Sequence, residues 1–370
     1  MISLAANTNI SGGVAGGVLI GAASTWLMYK ENQIMGVSGI SATALAPETQ
    51  EKNGRDARGY WTWSFIAGML STGTVLVLVQ PEVFGTTTSP AAVLSPAGAA
   101  VAGLLTGFGT RMGSGCTSGH GICGLPRRSL RSLAAVLTFM TSGAVTTYVI
   151  SHYQDALSLL FSSSGCSEVA GGFSNANNAS QALRPLLYVL GGTFVASRLV
   201  RSRNKVTALQ EHGSDLPGKT RNEPSFSSHL TSFLVGAVFS IGLAVGGMTD
   251  PSRVSGFLHF TAESGWDATL MGVMGGGVLV NLFTFEFMRS SDHGAACPTF
   301  KFDGHSKNLN IDRNLLLGST LFGCGWGLSG VCPGPALTSL PGALTSGLGN
   351  GAMALYTPFM LLGMAVHKYV

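Results

Sequence analysis

Two cysteines stand apart by their surroundings. Cys116 lies within GFGTRMGSGCTSGHG (107–121) and Cys332 within FGCGWGLSGVCPGPA (322–336). Eight residues of the first stretch are Gly or Ser, too many for a stable helix interior. The stretch predicts a helix break near Gly113, with backbone N–H groups exposed around Gly115, Cys116 and Gly119. In the second stretch, Pro333 or Pro335 suits the first turn of a short helix. The positive dipole end of that helix then points toward Cys332 and Gly334, an arrangement that receives anions without a full cation. Cysteine supplies a polarizable thiol, able to meet a soft sulphur atom by S–H contact or thiolate exchange. A lone membrane cysteine is ordinarily a small packing residue; two in Gly-rich breaks favour the chemical reading.

The neighbours add to this site. Thr117, Ser118 and the N–H groups near Gly115, Gly119 and Gly334 are candidates to bind oxygens, with Pro333 shaping the second break. His120 suits either proton or anion contact or a capping role. Cys324 and Arg111 are further candidates; Arg111 also reads as a snorkelling or packing charge. Cys123, Cys166 and Cys297 read as bystanders. No His/Cys spacing fits a metal site, and no P-loop or dinucleotide fingerprint occurs. Neither a metal nor a cofactor is expected, and no residue is assigned a catalytic role.

The elements that position these residues must be membrane helices. Only 10% of the 370 residues are charged, mean hydropathy is +0.35, and 52 residues are Gly. An ordinary soluble domain carries about 25% charged residues. Abundant Gly suits close helix packing in lipid. The net charge of +4 does not point to nucleic acid, because the basic residues lie in short loops between apolar runs. Residues 1–29 read as a retained first helix, since Met1 to Asn9 hold no positive charge ahead of the apolar run.

Apolar runs of about 20 residues mark crossings. They predict nine helices, near 9–29, 59–80, 93–111, 131–151, 185–200, 228–247, 267–288, 313–328 and 348–367. The run at 185–200 is the weakest, bracketed by Arg184 and Arg198. Alternate loops then carry eighteen and two of the Lys and Arg residues. This bias places the C-terminus in the cytoplasm and the N-terminus outside.

An internal repeat is legible as well. Val37-Ser38-Gly39 recurs as Val254-Ser255-Gly256 at an offset of 217, and Gly107, Gly109 and Cys116 recur as Gly323, Gly325 and Cys332 at 216. The chain divides into a first membrane repeat (1–154), a linker with one connecting crossing (155–227) and a second repeat (228–370). An odd crossing between two four-helix units inverts the second against the first. Inverted repeats with broken helices are a recurrent transporter plan, with the site near the midplane. The expected fold is therefore an all-α polytopic membrane protein with short re-entrant segments.

The stretch GFGTRMGSGCTSGHGICGLPRRSLRSLAAVLTFMTSG (107–143) closely resembles the signature of the YeeE/YedE sulphur-transport family. LAVGGMTDPSRVSGFL (243–258) and FGCGWGLSGVCPGPAL (322–337) resemble that of its half-length companions. The chain looks like a fusion of two such halves. The resemblance implies nine membrane helices, short re-entrant helices and pseudo-symmetric halves in an hourglass. It implies uptake of thiosulfate or a related sulphur species, passed between cysteines at the positions of Cys116 and Cys332. Long members also carry a Cys soon after the first helix, whereas residues 31–44 here contain none. The expected function is a transporter, not an enzyme, in a cell membrane, with a small sulphur-containing anion and the bilayer as partners. The alternative is a membrane-bound sulphurtransferase whose cysteines relay a persulfide to a cytoplasmic acceptor protein.

Overall fold

The computed structural model describes residues 10–31, 33–45, 60–84, 94–152, 226–260, 266–290, 311–345 and 351–367. The described residues form helices joined by turns, with no strand among them. Among the described residues up to His152 there are five α-helices: α1 (Ile10–Glu31), α2 (Val37–Leu45), α3 (Tyr60–Val79), α4 (Pro96–Met112) and α5 (Leu130–His152). A π-helical turn, Thr117–Gly124, separates α4 from α5. Six follow: α6 (Phe226–Val245), α7 (Pro251–Leu258), α8 (Thr269–Ser290), α9 (Arg313–Ser329), α10 (Pro333–Thr345) and α11 (Gly351–Val366).

Among the described residues, six segments are long and apolar enough to cross a membrane: Ile10–Glu31, Trp61–Val79, Leu130–His152, Phe226–Val245, Thr269–Met288 and Arg313–Leu344. The last is α9 and α10 together, interrupted at Gly330. The crossings expected near 93–111 and 348–367 are the shorter helices α4 and α11. The expected crossing at 185–200, its flanking linkers, Cys166 and Cys297 lie outside the described residues.

These helices are built for lipid. In α1 the inward face carries Gly12, Gly13, Gly16, Gly17, Gly21, Ala23 and Ser24 together with Ile20, Leu27 and Met28, while Ile10, Val14 and Val18 face outward. In lipid, large apolar side chains cost nothing outside, and helices gain by close backbone approach inside. A Cβ at Gly17 would strike the carbonyl of Val273 in α8, and one at Gly107 in α4 would strike that of Met360 in α11. Both positions therefore set a helix–helix distance.

The packing pairs run through the whole bundle. Helix α1 lies along α8 and α6, and α3 lies along α6 and α10. Helix α4 lies along α9 and α11, and α5 lies along α9. Charges stay at the ends: Arg128 pairs with Glu286 at 3.4 Å and Arg131 with Asp312 at 3.2 Å. The Arg131–Asp312 pair ties the start of α5 to the N-cap of α9, where Asp312 also accepts the Leu315 N–H at 2.9 Å.

Candidate functional site

Both Gly-rich stretches break their helix. Helix α4 stops at Met112, is capped by Gly113, and turns through Ser114 at φ 61°. Helix α9 stops at Ser329, and Gly330 turns the chain at φ 69°. The two left-handed residues are 216 positions apart, the spacing that separates Cys116 from Cys332. A left-handed backbone suits Gly, whereas at Ser114 it carries strain. Two residues after each turn, a cysteine opens a new helix. Cys116 is the N-cap of the π-helical turn, and Pro333 is the first residue of α10.

The two cysteines share one cavity of about 40 Å³. At ~10–15 Å³ per enclosed water centre, this admits a few waters or one small ion. One wall carries Cys116, Thr117 and Ser118, and another Cys332, Pro333, Gly334 and Pro335. Thr117 Oγ1 donates to Cys332 Sγ at 3.4 Å, and Cys116 Sγ shares a 3.2 Å hydrogen bond with Ser118 Oγ. Ser118 Oγ also accepts the Val37 N–H at 3.2 Å, which fastens α2 to the first break. The remaining lining is apolar, from Ile20, Val37, Ile122, Phe239, Leu243, Val254, Leu270 and Val273 with the thioethers Met248 and Met274. No Lys, Arg or His side chain is among the described lining residues.

The two walls differ in what they offer. Thr117, Ser118 and Gly119 precede the first bond of the π-helical turn, His120 N–H to the Cys116 carbonyl at 2.9 Å, so their N–H groups are those a helix start leaves open. In α10 the same positions are Pro333, Gly334 and Pro335, and proline has no N–H. Gly334 is thus the one donor of that first turn.

Of the residues singled out by sequence, Cys116, Thr117, Ser118, Cys332, Pro333 and Gly334 line the cavity. Gly115, Gly119, His120, Cys324 and Arg111 are not among its lining. The expectation of a free N–H at Gly115 is corrected, since that N–H donates to the Thr110 carbonyl at 2.8 Å. A Cβ at Gly115 would instead press on the His120 ring at 2.7 Å. His120 is buried and bonded on both sides, with Nε2 to the Gly113 carbonyl at 2.9 Å and Nδ1 to Ser132 Oγ at 3.2 Å. It clamps the broken end of α4 to α5. Arg111 sits in the last turn of α4 and Cys324 inside α9.

Sequence reasoning missed the apolar walls and one polar knot. Cys123 is buried beside Ser24 Oγ at 3.1 Å and donates to the Met35 carbonyl at 3.4 Å. Asn281 Nδ2 donates to the Ile122 carbonyl at 2.8 Å and to Ser24 Oγ at 3.3 Å. The knot joins α1, α8 and the π-helical turn. An asparagine in the middle of an apolar run, as in GVLVNLFTF (277–285), was the available signal.

Two proteins of Xylella fastidiosa strain Temecula1, each named "Probable transporter", are similar to this chain. One is 36% identical over 135 residues, covering 36% of this chain and 84% of its own length. The other is 36% identical over 144 residues, covering 38% and 95%. No solved structure matches the chain. Residues 228–370 match the family described as "Family of unknown function (DUF6691)". With relatives more than 30% identical and aligned over most of their own length, this chain belongs to the family of these probable transporters.

Proposed function

We propose that the protein is a membrane transporter that takes up thiosulfate or a related sulphur-containing anion through the constriction formed by Cys116 and Cys332. One observation carries the reading: thiols on two separate helix breaks line a single small cavity, linked by the Thr117–Cys332 hydrogen bond. Thiols and hydroxyls are neutral donors that hold a soft anion weakly, and weak sequential sites favour passage over trapping. Cys332 receives the terminal sulphur from the outer side and Cys116 passes it inward. N–H groups of Thr117, Ser118 and Gly334 bind the oxygens.

The same reading makes the chain a YeeE/YedE-type protein built from two fused halves, 1–154 and 228–370, joined by 155–227. Two features support the repeat: the left-handed turns at Ser114 and Gly330 keep the cysteine offset, and the packing pairs are matched. The pairs α1 with α8 and α4 with α11 have counterparts in α6 with α3 and α9 with α5. An added crossing at 185–200 makes nine and inverts the second half. The N-terminus then lies outside and the C-terminus in the cytoplasm of a cell membrane.

Reconstitution of the full chain in liposomes tests this. Radiolabelled thiosulfate should enter vesicles bearing the wild type and not those bearing the double variant Cys116→Ala, Cys332→Ala. Full uptake by the folded double variant would remove the cysteine mechanism. Sulphur transfer from thiosulfate to a thiol acceptor, in detergent and without uptake, would replace it by a sulphurtransferase.

A further inference from the structure

We infer that the cavity between the two helix breaks is a binding site for a soft monovalent cation of the Cu(I) class, taken by the sulphurs of Cys116, Cys332, Met248 and Met274. The inference goes beyond the transport reading and stands without it. All four residues line the one cavity of about 40 Å³. They come from four separate segments. Cys116 stands on the first break and Cys332 on the second, Met248 in the turn between α6 and α7, and Met274 in α8.

Packing holds the four around the cavity. Cys116, Cys332 and Met248 are buried in one continuous apolar cluster, and Met274 packs against it. Thr117, the residue after Cys116, bonds Cys332 Sγ at 3.4 Å, so the two cysteine segments meet directly. The Met248 N–H donates to the carbonyl of Leu243 at 2.8 Å, and Leu243 lines the same cavity. Met274 extends to the π-helical turn that Cys116 opens, because a Cβ at Gly121 would strike its terminal methyl group. Methionine has three rotatable bonds and adapts to irregular spaces, so both thioethers can close on an ion seated between the thiols.

The donor set selects the ion. Thiolate and thioether sulphur together favour Cu(I). Calcium and magnesium require carboxylate or carbonyl oxygens, and structural zinc requires four ligands drawn from Cys, His and carboxylate. No Asp, Glu or His is among the described lining residues, and only two are Cys. Charge balance fits an apolar cavity as well. As the ion enters, one S–H bond breaks, one metal–sulphur bond forms, and the proton leaves to water. One monovalent cation thus replaces one proton, the thioethers stay neutral, and no net charge is buried.

Cu(I) binding by the detergent-solubilised full chain, kept free of oxygen and challenged with a Cu(I)-specific chelator, tests the inference. The wild type should retain one ion per chain that the double variant Cys116→Ser, Cys332→Ser gives up. The double variant Met248→Leu, Met274→Leu keeps both thiols and nearly the same volume. Its affinity should fall by about tenfold or more, since even a partner outside the ligand set is worth about 10–100-fold in metal affinity. Retention equal to wild type in either variant overturns the inference, and so does a wild type that yields every ion to the chelator. Should a variant fail to fold, the methionine methyl resonances of isotope-labelled wild type decide. Shifts at Met248 and Met274 on adding one equivalent of Cu(I) support the site, and unmoved resonances overturn it.

Discussion

Thr117 and Cys332 stand 215 positions apart in the chain, and a 3.4 Å hydrogen bond from the Thr117 hydroxyl to the Cys332 sulphur joins them across the cavity. The bond locks the two helix breaks in register. It also tunes the sulphur, because a donor at that distance favours electron density on it. Thr117→Val keeps the shape and deletes the donor. Initial thiosulfate uptake should drop about tenfold, equivalent to ~1.4 kcal/mol for one hydrogen bond. Thr117→Ser should retain most of the rate. Equal uptake by the Val and Ser variants would show that the bond is incidental.

The two left-handed turns respond in opposite directions. Ser114, at φ 61°, bears a Cβ in a conformation that disfavours one. Ser114→Gly should raise stability by about 1 kcal/mol. Gly330 has φ 69°, and a Cβ there would approach the Pro251 carbonyl oxygen to 2.6 Å. Gly330→Ala should cost about 2–3 kcal/mol from backbone strain and crowding together. Thermal unfolding of the two variants in one detergent measures both signs.

The His120 ring is a clamp with no nitrogen to spare, since Gly113 and Ser132 occupy both. His120→Ala would orphan a buried carbonyl and a buried hydroxyl. Destabilisation of about 2 kcal/mol is expected, visible as a lower melting temperature. The shape of the uptake–pH curve between about pH 5 and 8, where free histidine titrates, should stay as in the wild type. A flattened curve in the variant would return His120 to the role of proton carrier.

Asp312 makes stability depend on acid. The Leu315 N–H, against a slight upward push from burial and with help from Arg131, holds its carboxyl below the usual carboxylate range. A depressed folded value means the charge stabilises the fold above the unfolded value, ~3.9 for Asp. That contribution disappears as pH falls through the folded value. Asp312→Ala should therefore cost about 1 kcal/mol at neutral pH, typical of a lost N-cap. The difference should shrink in melts taken progressively below about pH 4. A constant difference across that range would mean the cap works without its charge.

The chain's own residues determined the class, the breaks and the pairing of cysteines. Scarce charge, long apolar runs and Gly-rich interruptions are local properties that act wherever the chain folds. The break at Gly113 and a proline at the start of a short helix were legible for that reason; the exact turn at Gly330 was not. Helix rotation was not. In lipid the outside is as apolar as the inside, so Phe239, Leu243, Val254 and Val273 carry no periodic mark of the cavity they face. Which faces turn inward is decided by backbone contacts such as Gly17 on Val273 and Gly107 on Met360, which exist only once the helices meet. The same assembly bonded Thr117 to Cys332 and Asn281 to the Ile122 carbonyl, and sealed both nitrogens of His120. Hydrogen bonding between distant segments is a property of their arrangement in space, and no local pattern of residue types encodes it.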